Sequence, residues 1–321
     1  GPDRDRDLMK AAAILEELVD QHPQHPGVLH YLIHAYDDPV HAPLGLRAAR
    51  AYAPVAPAAH HALHMPSHIF VQLGMWTDAA ASNEAAWAAS VAWVKRRNLA
   101  VEKEDFHSLS WLAYVYFQQG RVKKAGELLE IARQAAHEIQ SPRVAASVGG
   151  MEARQLVETG RTREALAAQL AAPAETSHAQ GAHGDTARPI LEKESQALSL
   201  QAQGKTDEAL ALLREAADLE SAMPPPSGPP SPLKPAHELY GEVLLAAGKA
   251  EEASRQFEAS LLRTPNRSAS LLGAARAAAR KGDGETARRH YAALAESWRQ
   301  ADADLPALAE VRTYLKDSPA R

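Results

Sequence analysis

A glycine followed five residues later by an alanine recurs six times along this chain, and no other feature constrains its fold as strongly. The signal reads Gly74-Met75-Trp76-Thr77-Asp78-Ala79, then Gly120 to Ala125, Gly160 to Ala165, Gly204 to Ala209, Gly248 to Ala253 and, more weakly, Gly282 to Ala287. An apolar helical stretch precedes each glycine. Glycine ends a helix in the left-handed region at no Cβ cost, and a small alanine in the next helix lets the two helices of a hairpin approach closely. Counting back from each glycine puts repeat starts near residues 60, 106, 146, 190, 234 and 268. An earlier repeat starting near 26 ends at Pro57, as Pro265 ends the one starting at 234. The spacings are 34, 46, 40, 44, 44 and 34 residues, the sequence signature of a repeat array.

Composition agrees with helices stacked on helices. Alanine dominates and aromatic residues make up 5% of the 321 positions, which suits close helix packing rather than sheets. A net charge of −5 argues against a general nucleic-acid binder with a basic surface. No stretch approaches the roughly 18 uninterrupted apolar residues of a membrane helix, so no membrane insertion is expected. Cysteine is absent, which removes disulfides and thiolate metal ligands. That absence suits a periplasmic or secreted protein and leaves a cytoplasmic one open.

The repeat resembles the tetratricopeptide family over nearly the whole chain. The resemblance implies an all-α fold, a right-handed superhelical solenoid of about seven tetratricopeptide-like hairpins spanning residues 26–302. Residues 1–25 read as the second helix of a truncated repeat, with Ala11, Leu15 and Leu18 on its packing face and Gly1-Pro2 fitting a tag scar. Missing N-terminal repeats or a partner protein would cover that end. Residues 303–321 read as a C-terminal capping helix and tail. Two long connections, 172–189 and 221–236, break the pattern. The second carries the run Pro224-Pro225-Pro226-Ser227-Gly228-Pro229-Pro230, which is either a linker or a stiff strap over the mouth of a groove.

Fifteen histidines are placed with a period of their own. His30 and His34 form one His-x-x-x-His pair, His64 and His68 another, and 34 residues separate the corresponding members. Such spacing puts two imidazoles on one helix face. In a tetratricopeptide frame they occupy positions 5 and 9 of successive first helices, which face the concave surface. Imidazoles reaching across the roughly 10 Å between adjacent helices can converge on one ion, or on two. His61 and His107 take position 2 of their repeats and point into the same groove. The later repeats lack histidine at positions 5 and 9, having Ser110 and Tyr114, Gly150 and Arg154, and Glu194 and Leu198. A transition metal is therefore expected at His30, His34, His64, His68 and His107, with His61, Asp37 and Asp105 as further ligands or ligand partners and Asp38 as another acceptor. Thiolate-free imidazole donors favour copper, then zinc or iron. The competing expectation is structural or peptide-contacting histidine.

In the repeat that starts at 234, Glu238 and Glu242 occupy positions 5 and 9. Solenoid geometry implied by the family would turn them and His237 toward the first repeats, as a general base, further ligands or a clamp for a cationic group. The alternative is an ordinary charged helix face. Arg154 and Arg276, at position 9 of their repeats, are candidates for binding a carboxylate. Trp76, Trp87 and Trp93 read as core, and Tyr31 with its neighbouring aromatics as packing.

The segments His25-Pro26-Gly27, His30-Tyr31, Ile33-His34-Ala35, His64-Met65-Pro66-Ser67-His68, Asp105-Phe106-His107-Ser108 and Lys234-Pro235-Ala236-His237-Glu238 resemble a widespread, histidine-rich bacterial group of tetratricopeptide proteins without a settled activity. Members often carry a further N-terminal half with an export signal, and Asp37 stands where glutamate is common. No P-loop, dinucleotide fingerprint, nucleophile elbow or His-Glu-x-x-His signature is present. Three functions follow as expectations: a metalloprotein, catalytic toward a small molecule or peptide; a peptide- or protein-binding scaffold; and a metal carrier or store.

Overall fold

The computed structural model describes residues 2–171 and 184–317. Their regular structure is helical throughout, so the fold is all-α, as expected. The chain divides into two compact units. The first comprises residues 1–116, 124–148 and 224–229, the second 117–123, 149–223 and 230–321. No described helix is long and apolar enough to cross a membrane.

The first unit is built from α1 (Pro2–Gln21), α2 (Pro26–Ala35), α3 (Ala42–Val55), α4 (His60–His64), α5 (Pro66–Gln72), α6 (Trp76–Arg97), α7 (Phe106–Gln118) and α8 (Val122–Ile139). Helix α9 (Pro142–Glu158) follows. Leu29, Leu32 and Ile33 of α2, Met65, Ile69 of α5, and Leu109 and Tyr114 of α7 are all at most 2% exposed. Helix α1 buries Ala12 and Val19 instead of the expected face, while Ala11 and Leu18 are exposed. The face turns by one residue because Ala12, Leu15 and Val19 keep the 3–4 helical spacing. Tyr31 is also exposed rather than packed. Trp76 is buried, whereas Trp87 and Trp93 are only partly so.

The second unit contains α10 (Thr162–Ala171), α11 (Gly184–Ala202), α12 (Thr206–Ala222), α13 (Ala236–Ala246), α14 (Ala250–Arg263), α15 (Ser268–Lys281), α16 (Gly284–Ser297) and α17 (Leu308–Asp317). Residues 172–183 of the expected first long connection lie outside the described residues. Residues 184–189 are helical rather than loop, with Pro189 inside α11. Proline forfeits a single backbone bond there, which one turn of helix tolerates at a cost. Phe257 of α14 is fully buried beneath Gly241 and Gly273, and a Cβ at Gly273 would stand 2.3 Å from its ring.

The repeat signal has a direct structural meaning. All six repeat glycines are left-handed, with φ between 63° and 82°. The backbone bond closing the helix end recurs at Gly74, Gly160, Gly204, Gly248 and Gly282, as in Lys249 N–H to Leu244 O at 2.9 Å and Asp283 N–H to Ala278 O at 3.0 Å. The six alanines five residues on are each at most 1% exposed, at the crossing of their hairpins.

Candidate metal centre

Helices α2, α4, α5 and α7 bring six histidines of the first unit together. Pro66 divides α4 from α5, yet Met65 stays helical and donates its N–H to His61 O at 3.0 Å, so His64 and His68 keep one face. His64, His68 and His107 each offer a ring nitrogen within 4.8 Å of the other two. The rings of His64 and His107 are 4.7 Å apart, and those of His64 and His68 are 5.0 Å apart. Trp111, four residues after His107 on α7, packs against all three at 4.5–5.4 Å.

Partners on the far side of each ring fix which nitrogen faces the cluster. Asn83 of α6 donates its amide to Ala79 O at 2.9 Å, which turns its Oδ1 toward His64. His64 Nδ1–H then donates to Asn83 Oδ1 at 2.6 Å, with Ser67 Oγ at 3.3 Å. The opposite nitrogen, His64 Nε2, holds a lone pair, is fully buried and has no hydrogen-bond partner. His68 Nδ1–H donates to Asp37 Oδ2 at 2.7 Å, leaving its Nε2 as the other lone pair. Asp37 is held in turn by Gln72 Nε2 at 3.1 Å and Ser227 Oγ at 2.5 Å. This carboxylate–imidazole pairing is the usual outer support of a metal ligand.

Electrostatics keep His64 and His107 neutral. Burial, then the nearby His68 and His107, holds His64 well below the ordinary histidine pKa. His107 reaches solvent, but protein crowds its ring, and that desolvation with the charge of His68 pushes it down to about 4. Desolvation opposes ionisation of Asp37, but the charge of His68 and hydrogen bonds from His68, Ser227 and Gln72 hold its pKa below the ordinary value. Neutral imidazole, as at His64 and His107, is the protonation state metal ligation needs.

The proline-rich run closes over this cluster within the first unit. Gln72 Nε2 donates to Pro226 O at 2.6 Å. Gly228 lies on Trp111, where a Cβ would meet the indole at 2.3 Å, and its φ of +117° is one that side chains avoid. The run is therefore a strap seated on the histidine cluster.

His30, His34 and His61 form a more exposed group beside the first. His30 Nε2 lies 3.0 Å from His34 Nε2 and 3.3 Å from His61 Nε2. His34 is pushed down to about 4 by burial and then by His68 and His30. Asp105 does not touch the cluster's imidazoles. It binds His60 Nδ1 at 3.2 Å and caps α7 through Ser108 N–H at 3.2 Å, which sets the start of the helix that carries His107. Asp38 pairs with His41 at 2.6 Å.

The expected catalytic or substrate-binding residues lie in the second unit and are already occupied. Glu238 is 0% exposed and accepts from Arg267 Nε at 2.8 Å, Lys234 Nζ at 2.9 Å and Ser270 Oγ. Burial raises its pKa, but Arg267 and Lys234 outweigh that and bring it to about 2. Glu242 binds Lys234 Nζ at 2.6 Å. Both ring nitrogens of His237 are engaged, by Ser221 Oγ and by Gln256 Oε1, each at 2.8 Å. Arg154 donates to Leu233 O at 3.0 Å and Pro230 O at 2.9 Å, and Arg276 pairs with Glu310 at 2.6 Å. Each of these side chains thus has a partner, and of the carboxylates Glu238 is enclosed while Glu242 stays 40% exposed.

Residues 107–130 and 195–215 match the tetratricopeptide repeat family profile. No curated protein matches the sequence. Among solved structures, the chain is similar to a chain of the APC/C hetero-tetramer Cut9-Hcn1, at 10% identity and TM-score 0.44, covering 97% of this chain and 55% of that one. Yeast Tom70 is similar at 14% identity and TM-score 0.36, covering 98% and 60%. A tetratricopeptide repeat protein from Parabacteroides merdae is similar at 13% identity and TM-score 0.38, covering 97% and 98%. The chain thus spans less than two thirds of the first two structures. Its scaffold is of the kind that binds proteins or peptides, and it carries a histidine triad.

Proposed function

Taking a tetratricopeptide-repeat chain as the premise, we propose that its first unit binds a transition metal through Nε2 of His64 and His68 and a ring nitrogen of His107. One observation carries this reading. His64 Nε2 is a buried lone pair without a partner, aimed by Asn83 into a group of imidazoles. Leaving such a nitrogen unsatisfied costs about 1–3 kcal/mol, a cost that a bound cation removes. Copper is the first candidate, then zinc or iron, because the donors are imidazoles alone.

Three protein ligands leave a coordination position open, as in catalytic rather than structural sites. The ion would act there on a small molecule or a peptide held by the repeat scaffold. The chain's own residues supply orientation: Asp37 and Asn83 fix the two rings, and Trp111 with the Pro224–Pro229 strap shields them. The family match favours a second reading, a peptide-binding scaffold without metal.

Elemental analysis of untagged protein purified without chelators separates the two. Wild-type protein should carry copper, zinc or iron, and His64→Ala with His68→Ala should lose one equivalent while circular dichroism keeps its helical signal. An unchanged metal ratio in that double variant would sink the triad, and no uptake from any of the three salts would leave the scaffold reading.

A further inference from the structure

His30, His34 and His61 present a second convergence of donors that the triad does not use. Their three Nε2 atoms gather around that of His30, at 3.0 Å from His34 and 3.3 Å from His61. Each Nε2 carries either one hydrogen or one lone pair, so among neutral imidazoles the His30 nitrogen makes one sound bond and leaves its other neighbour to solvent. An electron-pair acceptor bonded to His30 would use all three once the exposed rings of His34 and His61 turn onto it.

The spacings fit that occupant. With metal–nitrogen bonds of about 2.0–2.1 Å, ligand nitrogens around a tetrahedral ion lie roughly 3.3 Å apart. Both contacts of His30 are close to that edge length. His34 and His61 are exposed, so their rings can turn onto an ion without disturbing the core, while His30 is anchored by stacking on Tyr52 at 5.9 Å. The group also adjoins the triad: the rings of His34 and His68 are 5.7 Å apart, and those of His61 and His64 are 6.5 Å apart.

We infer that His30, His34 and His61 hold a second transition-metal ion next to the one at His64, His68 and His107, so that the first unit carries an ion pair with one buried and one solvent-facing member. The inference deepens the triad reading but stands on different residues. An outer ion with three ligands and open solvent is the member placed to meet an incoming substrate or to exchange metal.

The test loads metal-free full-length protein with Cu2+, removes loose ion by gel filtration and counts copper per chain. Wild type should retain two ions. His34→Ala with His61→Ala, both at exposed positions, should retain one, as should His64→Ala with His68→Ala. Copper electron paramagnetic resonance should show spin coupling in wild type and an isolated signal in each variant. One ion in wild type that persists in the His34/His61 variant overturns this inference and leaves the triad standing. One ion that persists in the His64/His68 variant but vanishes from the other overturns the triad and the pairing, and no retained copper overturns both. Should the outer variant lose helical signal, His34→Gln alone, isosteric enough to fold, must show the same loss of coupling.

Discussion

Positions 5 and 9 carry imidazoles in the first two repeats of the first unit and carboxylates in the second unit's repeat that starts at 234, and the two sets are satisfied in opposite ways. His64 keeps a buried nitrogen with no partner, and His30 has more neighbours than it can bond. Glu238, equally buried, has every lone pair spoken for by Arg267, Lys234 and Ser270. Burial alone therefore does not mark a functional residue. A buried polar group whose valence is filled by the fold is a structural element, and one whose valence is left over points to something the fold expects to bind.

The largest expected effect tests the filled half of that contrast. Arg267 is 1% exposed and bridges Glu238 to Glu158, with Nη1 at 2.7 Å from the latter. Arg267→Ala removes the guanidinium that two enclosed carboxylates share and should cost about 3–5 kcal/mol in urea denaturation. Copper or zinc content of the folded variant should not change. A loss under about 1 kcal/mol would mean that the network is not the structural clamp its geometry implies.

A smaller effect is expected where the strap meets the unfilled half. Gly228→Ala requires a Cβ within 2.3 Å of Trp111 and a side chain at φ +117°. Trp111 or the strap must shift, at about 1–3 kcal/mol. Because Trp111 backs all three triad histidines, metal affinity measured by competition with a chelator should fall about tenfold, near 1.4 kcal/mol. Lost stability with unchanged affinity would make the strap mere packing and detach it from the metal centre.

What the sequence disclosed follows the same division between local and distant. The glycine–alanine period was readable because helix termination and hairpin contact depend on residues five apart. The His-x-x-x-His pairs were readable because helix geometry alone puts them on one face. Trp111 stands four residues from His107 and carried a usable signal that attention to histidines passed over. Lys234, Glu238 and Glu242 likewise follow one another at i,i+4, a spacing that predicts pairing rather than a free carboxylate. Asn83, 19 residues from His64, and Ser227, 190 residues from Asp37, carried no such signal. Their contacts exist only once helices pack and the strap is laid down, so no window of sequence contains them.

The smallest expected effect probes an exception within the second unit. Glu194 is 0% exposed, and neither carboxyl oxygen has a hydrogen-bond partner. Burial, with Glu220 nearby, raises its pKa well above the ordinary 4.5. Below about pH 4.5 folded and unfolded chains both hold the proton. As pH rises, the unfolded chain releases it while the folded chain keeps it, so stability falls until the folded pKa is passed. Glu194→Met replaces the unfilled carboxyl with an apolar chain of similar length. It should gain about 1 kcal/mol at pH 7 and flatten the decline above pH 4.5, leaving the part that belongs to Glu220, whose pKa burial also raises. Greater stability with intact metal binding would place Glu194 with the structural residues of its unit as a tolerated defect. A loss of stability would mean that this carboxyl has a partner to bind, and that the unfilled valences of this chain extend beyond the histidines.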